Sequence, residues 1–228
     1  MKRVSQKNGS LAILLLLGSE FLASGLRAQT NSGPARFEAE IKAFETADRT
    51  NPPPQGAVLF VGSSSIRLWK TLARDFPDHK VINRGFGGSH VADSLAFADR
   101  IILPYKPKTV VLYAGDNDIA AGKAPETVFA DFNSLTEKIH AKLPQTRIAF
   151  ISIKPCPSRW HLVDKIRAAN EMIARRCAQD KRLVYIDVFG PMLGTDGKPR
   201  PELFVEDKLH MNEQGYALWK RIVVPHLQ

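Results

Sequence analysis

The chain has 228 residues, with 32 lysines and arginines against 23 acidic residues, for a formal net charge of +9. The basic side chains are scattered, as at Lys70, Arg74, Lys106, Lys108, Arg175 and Arg176, which fits a solvated surface and argues against a nucleic-acid footprint. Two cysteines cannot make a disulfide scaffold, and without a CxxC, an HExxH or another cluster at ligand spacing no metal or cofactor is expected.

The first segment reads as a secretory leader. Lys2, Arg3 and Lys7 form a basic start, residues 11–17 an apolar core, and Ala23, Ser24, Gly25 and Ala28 a small-residue cleavage zone. The apolar run falls short of the roughly 20 residues that span a bilayer, so no stable membrane insertion is expected. Cleavage is expected after Ala28, with Gly25 as second choice, giving an exported, periplasmic or secreted chain. Removing residues 1–28 lowers the formal charge to +6 and leaves 200 residues, enough for one domain with a sizeable core. In an oxidising compartment Cys156 and Cys177 are free to pair or to stay reduced, and the sequence leaves both open.

Residues 29–56 are expected to hold a polar helix, about Pro34 to Asp48, and a breaker, Asn51-Pro52-Pro53-Pro54-Gln55-Gly56. From residue 57 to 228 short apolar runs alternate with amphipathic segments. Residues 57–61, 80–83, 109–114, 147–153 and 183–188 are rich in Val, Ile and Phe and read as buried strands. Val128, Phe132, Leu135, Ile139 and Leu143 recur at steps of three and four, and Pro125 and Pro144 bound that helix. Residues 66–75, 89–103, 159–180 and 212–225 also read as helices. The alternation predicts an α/β fold: a parallel sheet covered on both faces, with its ligand site outside the carboxyl ends of the strands.

Four signals fall at strand ends or in loops. Gly62-Ser63-Ser64-Ser65 follows the first strand, where a serine at a helix start sits among free N–H groups; the plain alternative is an N-cap. Gly87-Gly88 follows the second strand and permits close backbone approach to a substrate oxygen, or simply makes a tight turn. Gly115-Asp116-Asn117-Asp118 follows the third as a loop, offering an uncharged amide donor or an Asx turn. Asp207-Lys208-Leu209-His210 places a carboxylate three residues before a histidine, the spacing that lets one orient the other. A hydroxyl, oxyanion donors and an acid–base pair are what acyl transfer requires.

Taken together these residues resemble the SGNH/GDSL hydrolase superfamily, in a GSSS form, with matching blocks spread over residues 60–216. The resemblance implies that Ser64 is the nucleophile, standing where the family usually has the serine of Gly-Asp-Ser. Ser63 replaces the aspartate, which is not a triad member, and Ser63 and Ser65 are the competing hydroxyls. It implies further that Asp207 and His210 complete the triad, and that Ser64, Gly88 and Asn117 supply the oxyanion hole. The implied fold is a three-layer αβα flavodoxin-like domain with a five-stranded parallel sheet in the order 2-1-3-4-5. The implied activity is cofactor-free hydrolysis of short-chain or acetyl esters of small molecules or carbohydrate, with Trp69 and Trp160 as candidate sugar-stacking surfaces. A phospholipase or lysophospholipase is the second enzyme reading, and a non-catalytic carbohydrate-binding protein on a hydrolase fold the reading of another class. Oligomeric state stays open.

Overall fold

The chain divides into two units, residues 1–31 and 32–228. The computed structural model describes Met1, Lys2 and residues 33–227, so the leader and its cleavage positions lie outside the described residues.

Strands β1 (Val58–Gly62), β2 (Val81–Gly85), β3 (Thr109–Tyr113), β4 (Arg147–Ile151) and β5 (Leu183–Ile186) form one sheet in the order β2-β1-β3-β4-β5. Every pairing is parallel: Val58 faces Val81 on one side and Thr109 on the other, Thr109 faces Arg147, and Ile148 faces Leu183. All residues of β1 and β3 are buried, which is why their sequences are continuous apolar runs rather than alternating ones.

Successive strand side chains feed two separate cores. Leu59, Val61, Val110, Leu112, Ile148 and Phe150 pack on one face, while Val58, Phe60, Val111, Tyr113, Ala149 and Ile151 pack on the other. The first face is covered by α1 (Glu38–Thr50). On the second face lie α2 (Ser64–Arg67) and α3 (Leu72–Asp75). Helices α4 (Val91–Ala96) and α5 (Ala98–Ile101) return to the first face, followed by α6 (Asp116–Ala120), α7 (Pro125–Lys142) and α8 (Val163–Ala178). Last in the chain, α9 (Glu213–Val223) closes the second face with Tyr216, Leu218, Trp219 and Val223. Three layers result, as the alternation predicts. The predicted α7 stripe is the buried one: Val128, Phe132, Leu135 and Ile139 are fully buried, each contributing about 1.5–3 kcal/mol. The N-terminal helix joins the same core through Phe37 and Ile41.

Four local expectations are corrected, the first being residues 89–103, which form α4, α5 and a 3-10 turn (Leu103–Tyr105) rather than one helix. Residues 66–75 do not form one helix but two short ones, α2 and α3. Trp69 sits between them and turns inward against Phe60, Phe76, Tyr216 and Trp219, with ring centroids 5.3–6.0 Å away. Its indole N–H donates to Asp75 at 2.8 Å. At 1% exposure Trp69 has no face for a sugar. The Asp116–Asp118 loop is in fact the first turn of α6, which begins at Gly115 (φ 118°) and carries both carboxylates where a helix N-terminus favours them. Cys156 and Cys177 are buried and free, and they belong to the cores on opposite faces of the sheet.

Candidate active site

The strand order reverses direction between β1 and β3, and the sheet's carboxyl edge there collects the segments that follow β1, β2, β3 and β4. At the end of β1, Gly62 lies in register with Tyr113 at φ 127°, and a Cβ on it would stand 1.9 Å from the Tyr113 carbonyl oxygen. Glycine therefore lets the chain turn tightly against β3, with the Ser63 N–H donating to that carbonyl at 2.9 Å. The turn delivers three serines into different surroundings. Ser63 and Ser65 are 1% and 2% exposed, whereas Ser64, the first residue of α2, is partly open to solvent. Ser63 caps the helix only through its carbonyl, which accepts from Ile66 and Arg67; its hydroxyl makes no capping bond.

The partner of Ser64 arrives from 146 residues away. His210 Nε2 lies 3.0 Å from Ser64 Oγ, and His210 Nδ1 lies 2.5 Å from Asp207 Oδ2. The other carboxylate oxygen accepts from the N–H groups of Leu209 and His210, each at 2.8 Å. Lys208 takes a left-handed conformation (φ 56°) that closes this turn, and an antiparallel bridge between Phe204 and Met211 holds its base. Burial alone would raise the Asp207 pKa, but the His210 N–H, its ring and the Leu209 N–H outweigh it and bring the carboxyl down to about 2. An ionised Asp207 accepts a hydrogen bond from Nδ1–H, which keeps the proton on Nδ1 and leaves Nε2 as the acceptor for the Ser64 hydroxyl.

Gly88 adopts φ 79° with open space where a Cβ would stand, so the backbone conformation rather than crowding calls for glycine. Among the described residues the N–H groups of Ser64 and Gly88 have no acceptor. Asn117, in the first turn of α6, donates from Nδ2 to the Ser89 carbonyl at 3.1 Å and accepts at Oδ1 from Arg159 Nη2 at 3.1 Å. Ser64, Gly88, Asn117, Asp207 and His210 are thus all placed at the carboxyl edge of the sheet or in the turn that reaches it.

Beneath Asn117 lies an ionic cluster that the sequence did not announce. Asp116 Oδ2 is 3.2 Å from Lys154 Nζ and 3.1 Å from Arg159 Nη1, and Lys154 also donates to the Tyr113 hydroxyl at 3.1 Å. Lys154 is 1% exposed. Burial disfavours its charge, yet Tyr113 and Asp116 outweigh that and raise its pKa; burial likewise disfavours the Asp116 carboxylate, and Lys154 and Arg159 outweigh it and lower its pKa. The only sequence signal was a lysine closing an apolar strand. Asp118 is structural: it accepts from Lys123 at 2.8 Å and from the Val91 N–H at 3.2 Å, tying α6 to α4.

Asp116→Asn is therefore expected to cost about 3–5 kcal/mol of stability by leaving Lys154 without its carboxylate. Because the Asp116 carboxyl is held below its usual range, this contribution is present above about pH 4 and fades as the pH falls further. Ester turnover should fall less than in Asn117→Ala. A denaturant midpoint unchanged at neutral pH would show that Lys154 is satisfied without Asp116.

Beside the serine and histidine segments lies a groove of about 490 Å³ between the α2–α3 region and α9. Leu68, Met211 and Tyr216 line it together with Lys70, Arg74, Asp75, Glu213 and Lys220, and Ser64 and His210 are not among its walls. Among the described residues no group of His, Cys, Asp or Glu is arranged to hold a metal ion, and no helix is long and apolar enough to cross a membrane.

Residues 55–218 match the model of the GDSL-like Lipase/Acylhydrolase family. Over 88 residues the chain is 30% identical to Esterase TesA of Pseudomonas aeruginosa, a match that spans 39% of this chain and 44% of that esterase. A protein from Streptococcus pneumoniae superposes with a TM-score of 0.75 at 18% identity, covering 85% of this chain and 94% of its own. A GDSL-like lipase from Bacteroides thetaiotaomicron superposes at 0.70 with 21% identity, covering 83% and 97%. At those identities the two structures share the fold.

Proposed function

Since the chain belongs to the GDSL-like lipase/acylhydrolase family of the SGNH/GDSL superfamily, we propose that it is a serine ester hydrolase working through an acyl-enzyme on short-chain or acetyl esters. The observation that carries this reading is the 3.0 Å contact between His210 Nε2 and Ser64 Oγ, with Nδ1 occupied by Asp207. His210 takes the Ser64 proton as Oγ attacks the ester carbonyl, and Asp207 stabilises the imidazolium that forms. The tetrahedral oxyanion accepts from the Ser64 and Gly88 N–H groups and from the second Nδ2 proton of Asn117. His210 then protonates the departing alcohol and activates a water, which attacks the acyl carbon and frees Ser64. In the same proposal the mature enzyme is exported and meets its substrate outside the cytoplasm.

The preference for short acyl groups rests on the groove beside the pair. Five of its lining side chains are charged. A long alkyl chain gains about 0.8 kcal/mol per methylene only where it is buried against apolar atoms, and neither Ser64 nor His210 lines this groove, so it does not lead an acyl chain from the reacting pair. Turnover of p-nitrophenyl esters is therefore expected to be highest for acetate or butyrate and to fall with each added pair of carbons. A kcat/KM that climbs towards decanoate or palmitate would replace this reading with the phospholipase or lysophospholipase one.

A further inference from the structure

We infer that Arg159 is a positioning residue for the oxyanion site, one that fixes and polarises the Asn117 amide. The inference rests on the proposed role of Asn117 and extends it to a residue on a different segment of the chain. Arg159 lies in the turn that follows β4, within the 3-10 segment Pro157–Leu162, at φ −117° and ψ 16°, outside helical geometry. From there its guanidinium reaches back across the sheet edge. Nη2 donates to Asn117 Oδ1 at 3.1 Å, while Nη1 stands 3.1 Å from Asp116 Oδ2. A planar fork engages two neighbouring residues of α6 at once, which a single ammonium cannot do.

The consequence for Asn117 follows from its hydrogen-bonding capacity. A primary amide can turn about its χ2 bond and present either oxygen or nitrogen to a neighbour. Here Oδ1 faces a cation, so the flipped amide, with its NH2 group against a guanidinium, is excluded. One Nδ2 proton goes to the Ser89 carbonyl at 3.1 Å, and the other remains for the oxyanion. That bond to Ser89 also couples Asn117 to the loop bearing the Gly88 N–H. Two donors from segments that follow different strands are thereby held in one fixed relation before substrate arrives. A charge-assisted bond at Oδ1 also draws electron density from the amide nitrogen and strengthens its remaining N–H as a donor. The guanidinium is in turn held by Asp116, itself anchored by Lys154 in the core.

A double-mutant cycle on p-nitrophenyl acetate tests this, using the full-length wild type, Asn117→Ala, Arg159→Met and the double variant. Asn117→Ala is expected to lower kcat by roughly 10²–10³. Arg159→Met should lower kcat by roughly tenfold to a hundredfold, the weight of one hydrogen bond to a charged group, with KM within about twofold of wild type. In the Asn117→Ala background the same Met substitution should cost less than about threefold, because the group it positions is gone. Arg159→Lys keeps a cation beside Asp116 while surrendering the fork, and carries the same cycle should Arg159→Met fail to fold. Equal losses in both backgrounds would overturn the inference and make Arg159 a structural residue. A raised KM with kcat intact would overturn it too, by making Arg159 a substrate contact. Ser64→Ala, run alongside, separates the two questions: if it keeps wild-type turnover, the serine mechanism fails, whereas an additive cycle with Ser64→Ala inactive removes only the role given to Arg159.

Discussion

Ser64→Ala is expected to lower ester turnover by roughly 10⁴-fold or more, the scale seen when a nucleophile is removed from a triad, and to leave the thermal unfolding curve almost unchanged. Both halves of that expectation come from the same turn. Ser64 Oγ meets His210 Nε2 at 3.0 Å, while the hydroxyls of Ser63 and Ser65 belong to buried residues. Removing one partly exposed hydroxyl creates no core cavity and breaks no helix cap, since the α2 cap is the Ser63 carbonyl. Ser65→Ala should keep activity within a few-fold of wild type, because Tyr216 bonds to the Ser65 carbonyl rather than to its hydroxyl. Wild-type turnover by Ser64→Ala together with an inactive Ser65→Ala would move the nucleophile to the neighbouring serine.

His210→Ala should be as damaging as Ser64→Ala, and Asp207→Ala less so by on the order of 10²-fold, because the histidine transfers protons and the carboxylate orients it. The structure sharpens the difference. Asp207 is itself half-exposed, at 47% for its side chain, so water can partly replace the carboxylate beside Nδ1. The pH dependence separates the two residues. With the Asp207 carboxyl held at about 2, it stays ionised across the range from pH 4 upward. Any loss of activity on acidification within that range must therefore come from a group other than Asp207; a general base must be neutral to accept from Ser64. The stabilising contribution of the Asp207 turn is lost in the same direction but at lower pH: it is complete above the ordinary carboxylate range and is lost as the pH falls through about 2. Flat kcat/KM from weakly acidic to alkaline pH, with chemistry rate-limiting, would remove His210 from the base role.

The parts of this molecule that were legible in the sequence are those set by periodicity and by chain order. Five apolar runs became five parallel strands within a few residues of their expected ends, most plainly β1 and β3, which are buried throughout and have no polar face to confuse the pattern. The Pro125-to-Pro144 helix was legible for the complementary reason, a stripe with one clean period. Residues 66–75 misled because Ile66, Trp69 and Leu72 have helical spacing and are all buried, yet the chain breaks between α2 and α3, where Trp69 turns inward. The α6 turn was hidden by composition: aspartate and asparagine favour loops and helix starts alike, and only the left-handed Gly115 distinguishes them. Trp69, a candidate sugar-stacking surface by sequence, is a core residue, since no local signal tells an inward tryptophan from an outward one. Arg159 and Lys154 are not legible in the sequence because their meaning is wholly tertiary. Neither sits in a motif, and each acquires a role only when β3 and β4 become neighbours and bring Asp116 and Asn117 within reach.

Whether His210 makes Ser64 a nucleophile is measured most directly by covalent labelling with a fluorophosphonate, followed by intact mass and peptide mapping. One phosphonyl adduct per chain is expected, mapped to Ser64, absent from Ser64→Ala and formed far more slowly in His210→Ala. A folded protein that takes up no adduct, or one that labels equally well with Ser64 or His210 removed, would contradict it.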